Sequence, residues 1–229
     1  MSFGSKTAVK IDIVSDVVCP WCYLGKARLE AALNELPNIE AEIHWRPYML
    51  DPSIPRPGVD RKAYMEAKFG AGPRLGQIHE QLNGFGKAVG IDYDFNAIKV
   101  APNTMNAHRL IRWAAQAGPG LQNKVVDLLF KAYFEEGKDI GSAPVLIEIG
   151  KKAGMDAAIV ETLLPTDAEE AGVIGEIATS KQMGITGVPC FIIDQKYAVS
   201  GAQTPDILIN TINNAVAAPP NPPSSPAAS

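Results

Sequence analysis

Cys19-Pro20-Trp21-Cys22 follows directly on an apolar run and opens a helical pattern, and this placement constrains the fold more than any other feature of the chain. Val9, Ile11 and Ile13 alternate with Lys10 and Asp12 ahead of Val14, the pattern of a largely buried strand. Beyond the cysteines, Tyr23, Leu24, Ala27, Ala31 and Leu33 keep helical spacing up to Pro37-Asn38, and Ile39–Trp45 reads as a second strand. A helix of that length between two strands suits the right-handed crossover of a parallel βαβ unit. The cysteine pair therefore sits where a strand feeds a helix N-terminus.

That position has chemical consequences. A sulfur beside the first turn meets free backbone N–H groups and the positive end of the helix dipole, which favours thiolate over thiol at Cys19. Cys22, three residues on, shares the helix face and can reach back to displace a group bound to Cys19. Pro20 suits the first turn because its missing N–H is not needed there. Met1–Lys10 lacks the basic-then-apolar layout of a leader, and no apolar run approaches the roughly 18 residues of a spanning helix, so the expected address is the cytoplasm. Structural disulfides are rare in that compartment, and a Cys-x-x-Cys within a βαβ pattern then points to a redox dithiol. Two cysteines that merely share a core, or a structural disulfide in an oxidising compartment, are the plainer readings. A zinc site would need further ligands at short spacing, and only Cys190, His44, His79 and His108 remain, widely scattered, so no metal is expected.

From Asp51 the texture changes. Pro52, Pro55 and Pro57 make a linker, and beyond it the pattern is helical with no obvious strand. Leu75, Ile78, Leu82, Phe85 and Val89 recur at alternating steps of three and four, which predicts one buried helix face. Further helices are expected over Thr104–Gln116, Leu121–Glu135, Ala143–Ala153 and Asp156–Leu163. Thr166 and Glu169 have capping-box spacing for a helix running to about Met183. Pro189–Asp194 and Tyr197–Ser200 read as a hairpin joined by Gln195-Lys196. Thr204-Pro205 then opens a last helix with Ile207, Leu208, Ile212 and Val216 on its apolar face.

Several stretches together resemble the DsbA-like branch of the thioredoxin-fold superfamily, which contains the FrnE-type dithiol oxidoreductases and, more distantly, 2-hydroxychromene-2-carboxylate isomerases and kappa-class glutathione transferases. They are Asp16–Cys22, Trp45-Arg46-Pro47-Tyr48-Met49-Leu50, Asn103-Thr104 with Ala107-His108-Arg109, and Gly184-Ile185-Thr186-Gly187-Val188-Pro189, and the resemblance spans about residues 8–217. It implies an α/β fold of thioredoxin type with an inserted all-helical domain: a discontinuous core of 8–54 and 166–217 and an insertion of 55–165; the Pro, Ser and Ala composition of 218–229 separately predicts a disordered tail. It implies that Pro189 is a cis-proline facing the cysteines, and that substrate backbone pairs against Val188. Pro20 and Trp21 would tune the dithiol, with Trp21 also a contact for substrate.

The glutathione-dependent relatives carry Ser at the first cysteine position and lack the second. This chain has both, so the resemblance favours a dithiol–disulfide oxidoreductase acting on protein, peptide or small-thiol substrates. Its cofactor would be its own Cys19–Cys22 pair, with glutathione a co-substrate. A glutathione-dependent isomerase or transferase is the alternative, and a non-enzymatic holdase using an exposed Phe85 face is a third reading. His108 overhangs the dithiol as a proton acceptor by resemblance, and reads more simply as a structural hydrogen-bonding group. Asp16 reads as a loop cap ahead of a proton relay, and Cys190 as a small buried strand residue ahead of a redox accessory. A homodimer through the inserted helices is implied by analogy.

Composition limits the partners. Lys and Arg number 21 against 25 Asp and Glu, a net charge of −4, which offers no electrostatic case for nucleic acid or an anionic membrane. With 46% hydrophobic residues, 229 residues can bury a substantial core.

Overall fold

The computed structural model describes residues 6–70 and 72–219. The expected βαβ unit comprises β1 (Thr7–Ser15), α1 (Pro20–Asn34) and β2 (Ile39–Pro47). β1 and β2 are parallel, from Thr7 opposite Ile39 to Ser15 opposite Pro47. Next come β3 (Val59–Asp60), α2 (Arg61–Phe69), α3 (Pro73–Lys87), β4 (Val100–Ala101), α4 (Met105–Ala117), α5 (Leu121–Phe134), α6 (Ala143–Ala153) and α7 (Ala157–Leu163). The chain returns through α8 (Glu170–Gln182), β5 (Cys190–Ile193), β6 (Tyr197–Ser200) and α9 (Pro205–Ala217).

One sheet has the order β2-β1-β5-β6, with β5 antiparallel to both neighbours. β1 is central, and Val9, Ile11 and Ile13 are buried as the alternation predicts. α9 lies against β1, β5 and β6 and beside α1, whereas α8 and α5 contact β2. The outer edge of β2 is covered by α5 side chains: Gln122 accepts from the Trp45 N–H and donates to the Trp45 carbonyl, and Asn123 accepts from the Trp45 indole. Those bonds occupy polar groups that an open edge would leave for another chain. The result is the thioredoxin fold with a helical insertion between β2 and α8.

The structure departs from the sequence expectations in five places. The insertion holds a short antiparallel pairing, Val59 with Ala101 and Asp60 with Val100, too brief for a periodicity signal. α2 is not legible in the sequence, because its residues carry no continuous apolar face and none of them is buried. The capping box does not form: the Thr166 hydroxyl donates to the Leu163 carbonyl, and the Glu169 carboxylate is taken by Arg112 at 2.7 Å. The hairpin link is three residues, Asp194–Lys196, with left-handed backbone at Asp194 and Gln195. In α9 the buried face is Leu208, Ile212 and Ala215, and Ile207 points outward at 43% exposure. The disordered tail expected over 218–229 falls, from residue 220 on, outside the described residues.

Candidate active site

The strand-to-helix turn positions both cysteines. Cys19 is the N-cap of α1, with extended backbone (φ −92°, ψ 112°) and Pro20 in the first turn after it. Its carbonyl accepts from the Cys22 N–H at 3.0 Å and its own N–H donates to the Asp16 carbonyl at 3.0 Å, so the sulfur side chain emerges at the mouth of the helix. Cys22 lies one turn in, with its thiol against Cys19 and the Ser15 side chain. Both are free thiols and both are buried. Burial raises the Cys22 thiol well above its ordinary value, and the proximity of Cys19 raises it further.

Across the cleft, the Val188–Pro189 peptide bond is cis. The Cys19 Sγ lies 3.7 Å from the Val188 carbonyl oxygen, within donating distance for a thiol. The approach depends on Gly25 of α1: a Cβ there would lie 3.0 Å from Pro189 Cγ and 3.1 Å from the Phe191 ring. Trp21 is half-buried against Phe85, with ring centroids 6.3 Å apart, and lines the same cleft as Cys19.

Asp16 and His108 meet beside the dithiol. The Asp16 Oδ2 accepts from the Leu50 N–H at 2.8 Å, tying the turn before Cys19 to the loop after β2. Its Oδ1 faces His108 Nε2 at 3.4 Å, and neither atom has another hydrogen-bond partner among the described residues. Both side chains are almost wholly buried, at 1% and 3% exposure, where leaving polar atoms underused is costly. The sequence singles out both residues without bringing them together; that contact needs α4 to cross over the β1–α1 turn.

Tyr93 is a site residue that the sequence does not disclose. Its hydroxyl donates to the Pro20 carbonyl at 2.7 Å, holding the first turn of α1 from the insertion. The ring sits so close to Gly86 that a Cβ there would lie 2.7 Å from Tyr93 Cε2. A Tyr in a polar loop and a Gly inside a helix carry no signal of this contact in sequence.

The α3 face differs from the expected buried stripe. Of Leu75, Ile78, Leu82, Phe85 and Val89, only Leu82 is fully buried. Leu75, Ile78 and Leu82 line a cavity of about 350 Å³ whose wall includes Cys19, Trp21 and Val188. Phe85 is 36% exposed and packs on Trp21 and under the Arg28 guanidinium, 5.1 Å from its ring centroid. The apolar periodicity is real, but the face borders a chamber.

Of the remaining candidates, His79 lines the same cavity as Cys19, and Cys190 and His44 do not. Cys190, buried on β5 opposite Val14, has its thiol raised by burial and a side-chain contact to Ser200. His44 on β2 pairs with Glu42 at 2.8 Å, and His79 stacks on Phe95 with centroids 4.0 Å apart. Among the described residues, no group of three or more His, Cys, Asp or Glu is placed to hold a metal ion. No described helix is long and apolar enough to cross a membrane.

Residues 10–213 match the DSBA-like thioredoxin domain. The chain belongs to this family. Within it, the crystal structure of the probable DsbA oxidoreductase SCO1869 from Streptomyces coelicolor is similar over 90% of this chain and 89% of its own, with 29% identity and a TM-score of 0.83. The uncharacterised protein YwbO of Bacillus subtilis is 26% identical over 207 residues, 90% of this chain and 96% of that one. The cytosolic disulfide reductase DsbM of Pseudomonas aeruginosa, solved with glutathione, shares the fold at a TM-score of 0.60 and 19% identity, over 90% and 98% of the two chains. DsbA-like proteins are generally thiol oxidoreductases, and 2-hydroxychromene-2-carboxylate isomerase shares the fold at a TM-score of 0.64 and 16% identity, over 90% of this chain and 95% of its own.

Proposed function

We propose that this protein is a FrnE-type thiol–disulfide oxidoreductase that exchanges disulfides with protein, peptide or small-thiol substrates through Cys19 and Cys22. The observation that carries the reading is the placement of two free thiols in contact at the N-terminus of α1, with Cys19 Sγ turned toward Val188 across the cis-Pro189 bond. Cys19, at the cap with its sulfur toward the cleft, attacks a substrate disulfide. The S–S bond breaks, one substrate sulfur leaves as a thiolate that takes up a proton, and the other stays bound to Cys19. Cys22 then loses its proton and displaces that sulfur, leaving a Cys19–Cys22 disulfide and a reduced substrate. The direction reverses when the substrate is the stronger reductant.

Pro20 and Trp21 set access to the pair, and the Val188 backbone offers an edge against which an extended substrate lies. The dithiol is its own redox centre, and glutathione serves as co-substrate in a cytoplasmic setting. Cys190, away from the cleft wall, takes no part in the cycle.

Equilibration in graded reduced and oxidised glutathione, followed by acid quench, alkylation and peptide mass spectrometry, tests this directly. A reversible Cys19–Cys22 disulfide with a potential between about −270 and −120 mV is expected. Cys19→Ser should abolish turnover, and Cys22→Ser should trap a mixed disulfide at Cys19; undiminished turnover by Cys22→Ser would sink the mechanism.

The second reading, a glutathione-dependent isomerase or transferase, draws on the chamber that adjoins Cys19. Saturable glutathione binding with no change in the Cys19–Cys22 redox state would favour it. Cys22 against Cys19 has no role in that chemistry, which is why the dithiol reading is preferred.

A further inference from the structure

We propose that the chamber next to Cys19 is a binding site for small, mostly apolar carboxylates, held through Arg61, and that the small-molecule thiols and disulfides this protein exchanges belong to that class. The inference rests on the dithiol reading for the exchange step only. The binding site stands on its own geometry.

The chamber, about 350 Å³, lies between the α1 mouth and the insertion and falls in the size range of small-ligand sites. Its body is apolar, with Ile54, Leu75, Ile78, Leu82, Phe95 and Phe134 among the lining residues. Such a wall rejects an extended peptide, whose backbone N–H and C=O groups would go unpaired, and accepts an alkyl or aryl group.

The charged groups on the wall are not equivalent. The Asp51 carboxylate is already taken by the Ser53 N–H at 3.0 Å and by the Tyr64 hydroxyl at 3.1 Å. Asp16 is occupied by the Leu50 N–H and faces His108. Lys68 donates to the Tyr64 hydroxyl at 2.9 Å. Among the described residues neither Lys68 nor Arg61 has a carboxylate within ion-pairing distance; Arg61, hydrogen-bonded to the Tyr133 side chain and 6.0 Å over the Phe95 ring, differs in that its planar fork carries further N–H donors placed to bind one carboxylate through two bonds. A guanidinium with free donors on an apolar chamber is a receptor for one carboxylate.

Arg61 also stands at the way in. Arg61, Met65, Leu75, His79 and Phe95 line both the chamber and a second, more open cleft of about 720 Å³ between α2 and α3. These shared residues form the partition between Cys19 and the outer face of the insertion. A ligand entering from that cleft meets Arg61 at the partition and extends its apolar end toward Cys19. When that end carries a disulfide, Cys19 and Cys22 reduce R–S–S–R to two R–SH while the dithiol becomes a disulfide, so sulfurs, protons and electrons balance.

The test uses a ligand with no sulfur, so its outcome does not depend on disulfide exchange. Binding of 4-phenylbutyrate and of its neutral isostere 4-phenylbutyramide to the reduced protein is measured by calorimetry, alongside the rate of Cys19 alkylation by iodoacetamide. Saturable binding of the acid is expected, about tenfold tighter than the amide, with Cys19 alkylation slowed in proportion to occupancy. Arg61→Gln should erase the preference for the acid while leaving amide binding in place. No saturable binding, equal affinity for acid and amide, or unchanged alkylation at saturation would each overturn the site. If binding fails while the Cys19–Cys22 disulfide still cycles in glutathione buffers, this inference falls and the dithiol reading stands; binding without cycling retires the dithiol reading and leaves the carboxylate site in place.

Discussion

Burial keeps the Cys22 thiol protonated at neutral pH, yet Cys22 must become a thiolate before it can resolve a mixed disulfide on Cys19. Ser15 lies against the Cys22 thiol and the Tyr93 phenol interacts with both cysteines, while the turn that carries Cys19 also carries the buried Asp16–His108 pair, whose facing atoms have no other hydrogen-bond partner among the described residues. Asp16→Asn keeps an oxygen for the Leu50 N–H and removes the charge. The expected outcome is a resolving step slowed roughly tenfold to a hundredfold, with the first attack by Cys19 unchanged. Quenched-flow trapping of the mixed disulfide reads both steps; an intermediate no longer-lived than in the wild type would make the pair purely structural. At this scale the sequence shows which residues carry chemistry and conceals their partners. Asp16 reads as a cap of its own loop because sequence displays only near neighbours, whereas its observed acceptor contact is with Leu50, 34 residues on.

Between elements, the closest approach that matters is α1 against β5. Gly25 faces Pro189 and Phe191, and its lack of a side chain lets the Val188–Pro189 segment pack against α1, with the Val188 carbonyl 3.7 Å from Cys19 Sγ. Helix propensity alone predicts that Gly25→Ala stabilises by up to about 1 kcal/mol. Overpacking against a proline ring and a buried Phe opposes this at about 1–3 kcal/mol. The net expectation is destabilisation by roughly 1 kcal/mol in urea unfolding, with slower disulfide exchange as Pro189 is pushed away from Cys19; a more stable variant with unchanged exchange would refute the close-packing argument. Gly86→Ala should behave alike through Tyr93, loosening the bond to the Pro20 carbonyl. α3 shows how far periodicity reaches. Its spacing predicts an apolar face and that face exists, but nothing in the pattern distinguishes a face packed on neighbours from one bordering a chamber.

Across the whole molecule, Arg109 joins the insertion to the returning chain. Its guanidinium, 1% exposed, donates to the carbonyls of Leu163, Leu164, Thr166 and Ala168 and to Asn106. Arg109→Met should cost about 3 kcal/mol or more, because several buried carbonyls lose their donors together; a loss below about 1 kcal/mol in denaturant unfolding would show that water replaces them. Stability should also fall in alkali. Cys22 is raised above the ordinary thiol value of 9.0, Tyr133 is pushed up to about 12, and Tyr23 and Tyr93 are also raised, all mainly by burial. The unfolded chain then loses these protons first, so stability is full below about pH 9, and declines above it as the unfolded thiol and then the unfolded phenols ionise. Urea midpoints of the reduced protein at about pH 7, 9 and 10 check the sign, and Cys22→Ala should reduce the earliest part of the decline, to which the buried Cys190 thiol also contributes. The amino-acid sequence by itself determined the βαβ unit, the dithiol at the helix mouth, the helical block and the hairpin, because each is written in spacing between residues close along the chain. Only the tertiary structure decided that Asp16 meets His108, that Tyr93 holds Pro20, that Glu169 leaves its capping box for Arg112, and that α3 walls a chamber ending at Cys19. Those contacts join residues tens of positions apart, and their energies depend on burial and distance, which exist only once the chain has closed on itself.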